Sequence, residues 1–189
     1  VRGLLADLHG FSNRMTKFGR LFGDQTTARI DLSRPVDFDI SALAQSGDDV
    51  VAAVLATTWT SAFAAKNAAD VLAEEGLQPR RNHVIIMDEM HRALRASPLM
   101  VEKLDLLTRL NRQWGVGQIM ITHTFKDLMC METPAQNTKA RGFVERSEIK
   151  VLGALSRIEV DRYLRGECGL PVSRREEDML EDWATPVNF

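Results

Sequence analysis

His83-Val84-Ile85-Ile86-Met87-Asp88-Glu89 sets four consecutive apolar residues against two adjacent carboxylates. An apolar run this short reads as a buried strand, and acids at its exit are how a nucleotide-hydrolysing strand delivers its chemistry. The pattern is that of a Walker B element. In such an element the first carboxylate serves the magnesium shell and the second polarises the water that attacks the γ-phosphate. Asp88 is therefore the candidate magnesium ligand and Glu89 the candidate base. The plainer reading is a core strand whose exit loop happens to be acidic, and the residues that follow bear on the choice.

Residues 90–95 predict a short helix that ends before Ser97-Pro98, because the residue preceding proline is pushed away from helical geometry. Leu99, Val101, Leu104, Leu107 and Leu110 are spaced for one apolar face of a longer helix, with Arg109 and Arg112 near its end and Gly115 and Gly117 closing it. Residues 116–122 then read as a second buried strand ending in Thr122-His123-Thr124. Strand, helix, strand is the order of a parallel pair, and parallel neighbours place their C-terminal ends side by side. Asp88-Glu89 and Thr122-His123 should therefore be neighbours. A polar side chain at the adjacent strand tip can hydrogen-bond the γ-phosphate or the attacking water, which makes Thr122 and His123 candidate sensor residues and Thr122 a candidate nucleotide contact. The plainer role for His123 is a histidine satisfied by a loop carbonyl.

Working outward, residues 1–27 show no sustained period and predict only loop or short helix, so they form a separate N-terminal segment before a domain at 28–189. Residues 29–32 and 36–40 alternate polar and apolar side chains and predict short strands broken by Pro35. An Ala-rich helix should open at Ser46 or Asp48-Asp49 and run to Glu75, with Gly76 as its stop. Beyond the second strand, residues 126–131 and 136–146 predict helices and 149–155 a third strand. A helix over 157–164 should be capped by Ser156, and another over 173–183 opens with Ser173 and Glu176 at capping-box spacing. Alternating strands and helices predict a three-layer α/β domain with a mainly parallel sheet.

The composition excludes several classes. At 189 residues, with 44% hydrophobic and 26% charged residues and a net charge of −2, the chain has an ordinary globular makeup and no overall electrostatic footprint for nucleic acid or anionic lipid. Cys130 and Cys168 stand apart without CxxC or Cys/His spacing, which predicts neither a zinc site nor a disulfide framework and suggests a reducing, intracellular setting. The longest uncharged stretch, residues 50–65, is shorter than the ~18 apolar residues of a membrane span. The start at Val-Arg-Gly, without Met, suggests a piece of a longer polypeptide.

In combination these blocks resemble the ATPases of conjugative transfer and type IV secretion, relatives of the FtsK/HerA group of RecA-like motors. The resemblance is carried by Asp37-Phe38-Asp39-Ile40-Ser41 before the long helix, by Val84 through Glu89, by Leu107-Thr108-Arg109-Leu110-Asn111-Arg112-Gln113-Trp114-Gly115-Val116, and by Ile121-Thr122-His123-Thr124 followed by Asp127-Leu128. It implies a RecA-like P-loop NTPase core, ATP and Mg2+ as cofactors, and a hexameric homo-oligomer with sites between subunits. An arginine of one subunit would then reach the nucleotide of the next: Arg112 first, Arg109 second, Arg146 third. It further implies secretion-channel or conjugation proteins as partners, DNA as an admissible one, and a cytoplasmic place, peripheral at the inner face of the membrane.

Two departures stand against the family pattern. His123 occupies the sensor position that often carries Gln. No G-x-x-x-x-G-K-[ST] occurs in the sequence, so the Walker A segment is absent from the expected core and the chain alone should bind ATP weakly or not at all. Asp88-Glu89-Met90-His91 also spells a DExH helicase box, although no Gln-x-x-Gly-Arg-x-x-Arg follows and His91 is more simply a first-turn helix residue. The other alternative is a catalytically inactive RecA-like module kept for oligomer contacts.

Overall fold

The computed structural model describes residues 2–25, 31, 33–43, 45–129, 131 and 133–184, which divide into two units, Val1–Arg80 and Arg81–Phe189. In the first unit, α1 (Arg2–Ser12) and α2 (Lys17–Phe22) occupy the stretch where no period was legible. The Thr16 hydroxyl caps α2 by accepting from the Gly19 N–H at 2.9 Å. Phe11 then draws the two helices together, its ring 5.2 Å from that of Phe18 and 5.8 Å from that of Phe22.

The strand expected at 29–32 falls outside the described residues apart from Asp31. The one expected at 36–40 does not form: the segment is extended but unladdered, and the Asp39 side chain accepts from Ser41 N–H at 2.8 Å, bending the chain into a 3-10 turn at Ser41–Leu43. α3 (Asp48–Glu74) runs as predicted, although Gly47 rather than a side-chain cap precedes it. Lys66 is buried along this helix and pairs with Asp70 one turn on at 2.6 Å. Gly76, at φ 71°, closes α3. Its own N–H reaches Ala73 O at 3.1 Å and that of Leu77 reaches Leu72 O at 2.8 Å, a left-handed termination that glycine adopts without a Cβ penalty.

The second unit is α/β with a parallel two-stranded sheet. β1 (His83–Met87) and β2 (Val116–Met120) pair with His83 opposite Val116 and Met87 opposite Met120. Between them lie α4 (Met90–Ala96) and α5 (Pro98–Leu110). Ser97 separates the two helices and caps the second, its hydroxyl accepting from Leu99 N–H at 3.2 Å, while Pro98 takes the first helical position, where no N–H is needed. Met100, Val101, Leu104 and Leu107 form the buried face of α5, whereas Leu99, expected on that face, is exposed. Gly115, at φ 62°, turns the chain from α5 into β2; Gly117, expected to share that task, lies within the strand.

Neither strand is buried on both faces, contrary to the sequence reading. Val84 and Ile86 are each 64% exposed, and Ile119 and Ile121 continue the exposed apolar face on the neighbouring strand. α6 (Phe125–Met129) and α7 (Pro134–Arg146) follow; α7 packs on α5, and its Ala140, Phe143 and Val144 are buried. A capping box starts α7. Thr133 and Gln136 exchange side-chain-to-backbone hydrogen bonds of 3.3 and 3.0 Å.

The third strand expected at 149–155 is not formed. Ile149 and Val151 are 83% and 90% exposed, while Leu155 is buried, its N–H donating to Leu180 O at 3.0 Å, and Leu152 is half-buried. Alternating side chains make a segment extended, but a strand also requires a partner edge. The helix predicted at 157–164 continues instead as a π-helix over Glu159–Glu167, followed by a Cys168 N–H to Tyr163 O bond of 2.7 Å. Leu155, Val160 and Leu164 pack with Leu180 of α8 (Arg174–Ala184), helped by Phe125, Leu152, Leu170 and Val172. Arg165 fastens the two helices through both carboxylate oxygens of the buried Glu177. The capping box expected at the start of α8 is present: Ser173 N–H donates to Glu176 Oε2 at 2.7 Å, and Glu176 N–H to Ser173 Oγ at 3.4 Å. Among the described residues no helix is long and apolar enough to cross a membrane.

Candidate functional site

The parallel register continues past the end of the strands: Ile121 N–H donates to Met87 O at 2.9 Å, and Met90 N–H to Ile121 O at 3.0 Å. These two bonds hold the exits of β1 and β2 together, so that Asp88-Glu89 stands beside Thr122-His123. Asp88 is exposed, and its Oδ1 accepts from Glu89 N–H at 2.9 Å. Glu89 makes the sharp turn from strand to α4 in left-handed geometry, φ 51° and ψ 41°. It is the sole described residue other than glycine with positive φ. Such geometry costs a residue with a Cβ about 1–3 kcal/mol, and strain of this kind persists where the surroundings over-determine it.

Both oxygens of the Glu89 carboxylate face histidines. His123 Nε2 contacts Oε1 from the loop after β2, and His91 Nδ1 lies 3.2 Å from Oε2 from the first turn of α4. The two imidazole rings are 6.1 Å apart. His123 is 72% exposed at its side chain and His91 15%. The His91 Nδ1 contact is close but lies off the axis of a hydrogen bond, so that buried nitrogen has no hydrogen-bond partner; neither has the buried Thr122 Oγ1. Polar atoms rarely remain unpaired in the interior, and two of them here stand beside the acids, His91 in the first turn of α4 and Thr122 in the exit from β2.

The arginines lie elsewhere. Arg109 and Arg112 belong to the end of α5, which leads into the start of β2, whereas the acids stand at the opposite ends of the strands. A five-residue strand separates them by roughly 16 Å along the sheet. Arg109 Nε binds Asp105 Oδ2 at 3.0 Å, and Arg146 binds Asp105 Oδ1 at 2.7 Å and Thr108 Oγ1 at 2.9 Å. Asp105 is buried, and these two guanidiniums neutralise it. Arg112 is exposed, and its guanidinium makes no ion pair or hydrogen bond among the described residues.

Asp88, Glu89, Thr122 and His123 are thus gathered at one edge, and Arg109, Arg112 and Arg146 are not. His91 is the member of the cluster that sequence reasoning passed over. Its signal was the Glu-x-His spacing, which places the histidine in the first turn of the helix that Glu89 begins. Among the described residues no cluster of three or more His, Cys, Asp or Glu side chains could by itself hold a metal ion. Burial pushes the Cys168 thiol up to about 11.

No family model matches this sequence, and no curated protein matches it. Among solved structures it is similar to VirB4 of Thermoanaerobacter pseudethanolicus, with a TM-score of 0.68 over 96% of this chain at 18% identity. The match covers 44% of the VirB4 chain, so this sequence spans less than half of that protein's length. At that identity the likeness is one of fold.

Proposed function

We propose that this chain is the C-terminal part of an ATP-hydrolysing motor that powers type IV secretion or conjugative DNA transfer. The observation that carries the reading is the parallel pairing of β1 with β2, which sets Asp88-Glu89 against Thr122-His123 at the strand exits. The VirB4-like fold supports it. Glu89 is the base that orients and deprotonates the attacking water, and Thr122 and His123 are the sensor.

The residues fit a magnesium nucleotide in part. Magnesium is usually held by one or two carboxylates together with waters and phosphate oxygens, so the exposed Asp88 suffices as the protein's share. The unpartnered Thr122 Oγ1 offers a hydrogen bond that nothing in the described chain uses. When bound, the ion stabilises charge on the transferring phosphoryl group. The phosphate cradle belongs to a segment outside these 189 residues, completing the RecA-like three-layer core.

Arg112 is the first candidate to act on a neighbouring subunit's nucleotide, because it is exposed, its guanidinium is unengaged among the described residues, and it lies at the end of the sheet opposite to its own acids. Arg109 and Arg146 are committed to Asp105. The parent is a ring, a hexamer in the reading of the family, working with secretion-channel proteins at the cytoplasmic face of the membrane and with DNA as an admissible cargo.

The test is ATP hydrolysis by the complete parent. Glu89→Gln abolishes turnover while ATP binding is spared, and this 189-residue chain alone shows no micromolar affinity in a nucleotide titration. Undiminished turnover by Glu89→Gln removes Glu89 from the base role. A parent that neither binds nor hydrolyses ATP leaves the inactive oligomerisation module as the answer.

A further inference from the structure

We infer that His91 is the positioning residue of Glu89: its Nδ1–H holds the Oε2 oxygen in place, leaving Oε1 to turn from His123 toward water. The inference rests on the proposed role of Glu89 as base and goes beyond it by separating the functions of the two histidines. Their burial makes the distinction. The His91 side chain is 15% exposed and stands on the first turn of α4, where the helix fixes its backbone. The His123 side chain is 72% exposed and extends from a loop. A largely covered side chain on a helix makes an anchor, and an exposed one on a loop makes a contact that can be given up.

The hydrogen-bond inventory points the same way. His91 Nδ1 is buried and without a hydrogen-bond partner, and the acceptor beside it is Glu89 Oε2 at 3.2 Å. A small rotation of the imidazole brings the N–H into line and satisfies both groups, removing the penalty of an unmatched buried nitrogen. The backbone adds a reason for such an anchor. Glu89 is held at φ 51°, and a side chain leaving a strained position needs an outside constraint if its carboxylate is to keep one direction. Asp88 cannot supply it, since a carboxylate only accepts hydrogen bonds, as its Oδ1 does from the Glu89 N–H.

Two measurements test the assignment. In nitrogen-15 spectra of the 189-residue chain, the neutral imidazole of His91 should carry its proton on Nδ1. Glu89→Ala should return it to the commoner Nε2–H form. An Nε2–H tautomer in the unmodified chain overturns the proposal, and this result does not depend on ATP hydrolysis. In the complete parent, His91→Asn places an amide N–H near the position of Nδ1, while His91→Leu removes the donor. The Asn variant should keep kcat within about threefold and the Leu variant lose about 10- to 100-fold with KM unchanged. Equal losses in both, or a change confined to KM, overturn it. Glu89→Gln run alongside separates the two hypotheses: if that variant hydrolyses ATP normally, the base assignment fails whatever the tautomer of His91.

Discussion

Glu89 combines a reactive carboxylate with a backbone that most residues avoid, and the two can be separated by substitution. Ala and Gly at this position both remove the carboxylate and its histidine contacts, but only Gly relieves the left-handed backbone. Glu89→Gly should therefore be more stable than Glu89→Ala by about 1 kcal/mol in urea unfolding, while both variants are inactive in the parent. Equal stability would mean that the turn is not strained in solution. The meeting of Asp88-Glu89 with Thr122-His123 was legible in the sequence because each pair ends an apolar run, and parallel strands bring such ends together. The contact between His91 and Glu89 was not legible, since it depends on the direction in which the left-handed Glu89 sends its side chain. The arginine block shows the same limit. Three arginines were candidates for one task, and the buried Asp105 that occupies two of them is indistinguishable in sequence from any other helical aspartate.

The helices beyond residue 47 were readable and so were β1 and β2, whereas the strands expected at 36–40 and 149–155 do not form, for a physical reason. A helix satisfies its backbone within itself, so caps such as Ser97, Thr133 and the Ser173-Glu176 pair mark its ends locally. A strand's hydrogen bonds lie with another segment, and alternation in residues 36–40 and 149–155 carries no information about who that segment is. The π-helix over Glu159–Glu167 escaped for a related reason: its wider turn has no periodic signature that separates it from an ordinary helix in a stretch so short. Residues 149–155 also predict an energetic asymmetry. Leu155→Ala should destabilise the chain by about 2–4 kcal/mol, because Leu155 is buried with Val160, Leu164 and Leu180. Val151→Ala should change stability by less than about 0.5 kcal/mol, since that side chain is 90% exposed. A comparable loss at Val151 in denaturant unfolding would show that the segment is paired in solution.

At the scale of the whole chain, α/β class, parallel strand order and the position of the acids were all legible, whereas the extent of the sheet was not. The expectation was a three-layer domain, and the described residues of the second unit form two strands, with one face lined by Val84, Ile86, Ile119 and Ile121. Hydrophobic patterning reports that a strand should be covered on both faces but not whether the covering element is at hand. That bare face has a colloidal consequence. Exposed β-branched side chains next to unpaired strand edges are the material from which edge-to-edge association grows. Light scattering should therefore show the isolated chain enlarging as its concentration is raised, and the double substitution Val84→Lys with Ile86→Lys should suppress the growth; monodisperse behaviour of the unmodified chain at every concentration would contradict this. To a chaperone or a protease, such a surface is the mark of an unfinished protein. The lifetime of the chain in a cell would then be set by how soon that surface is covered.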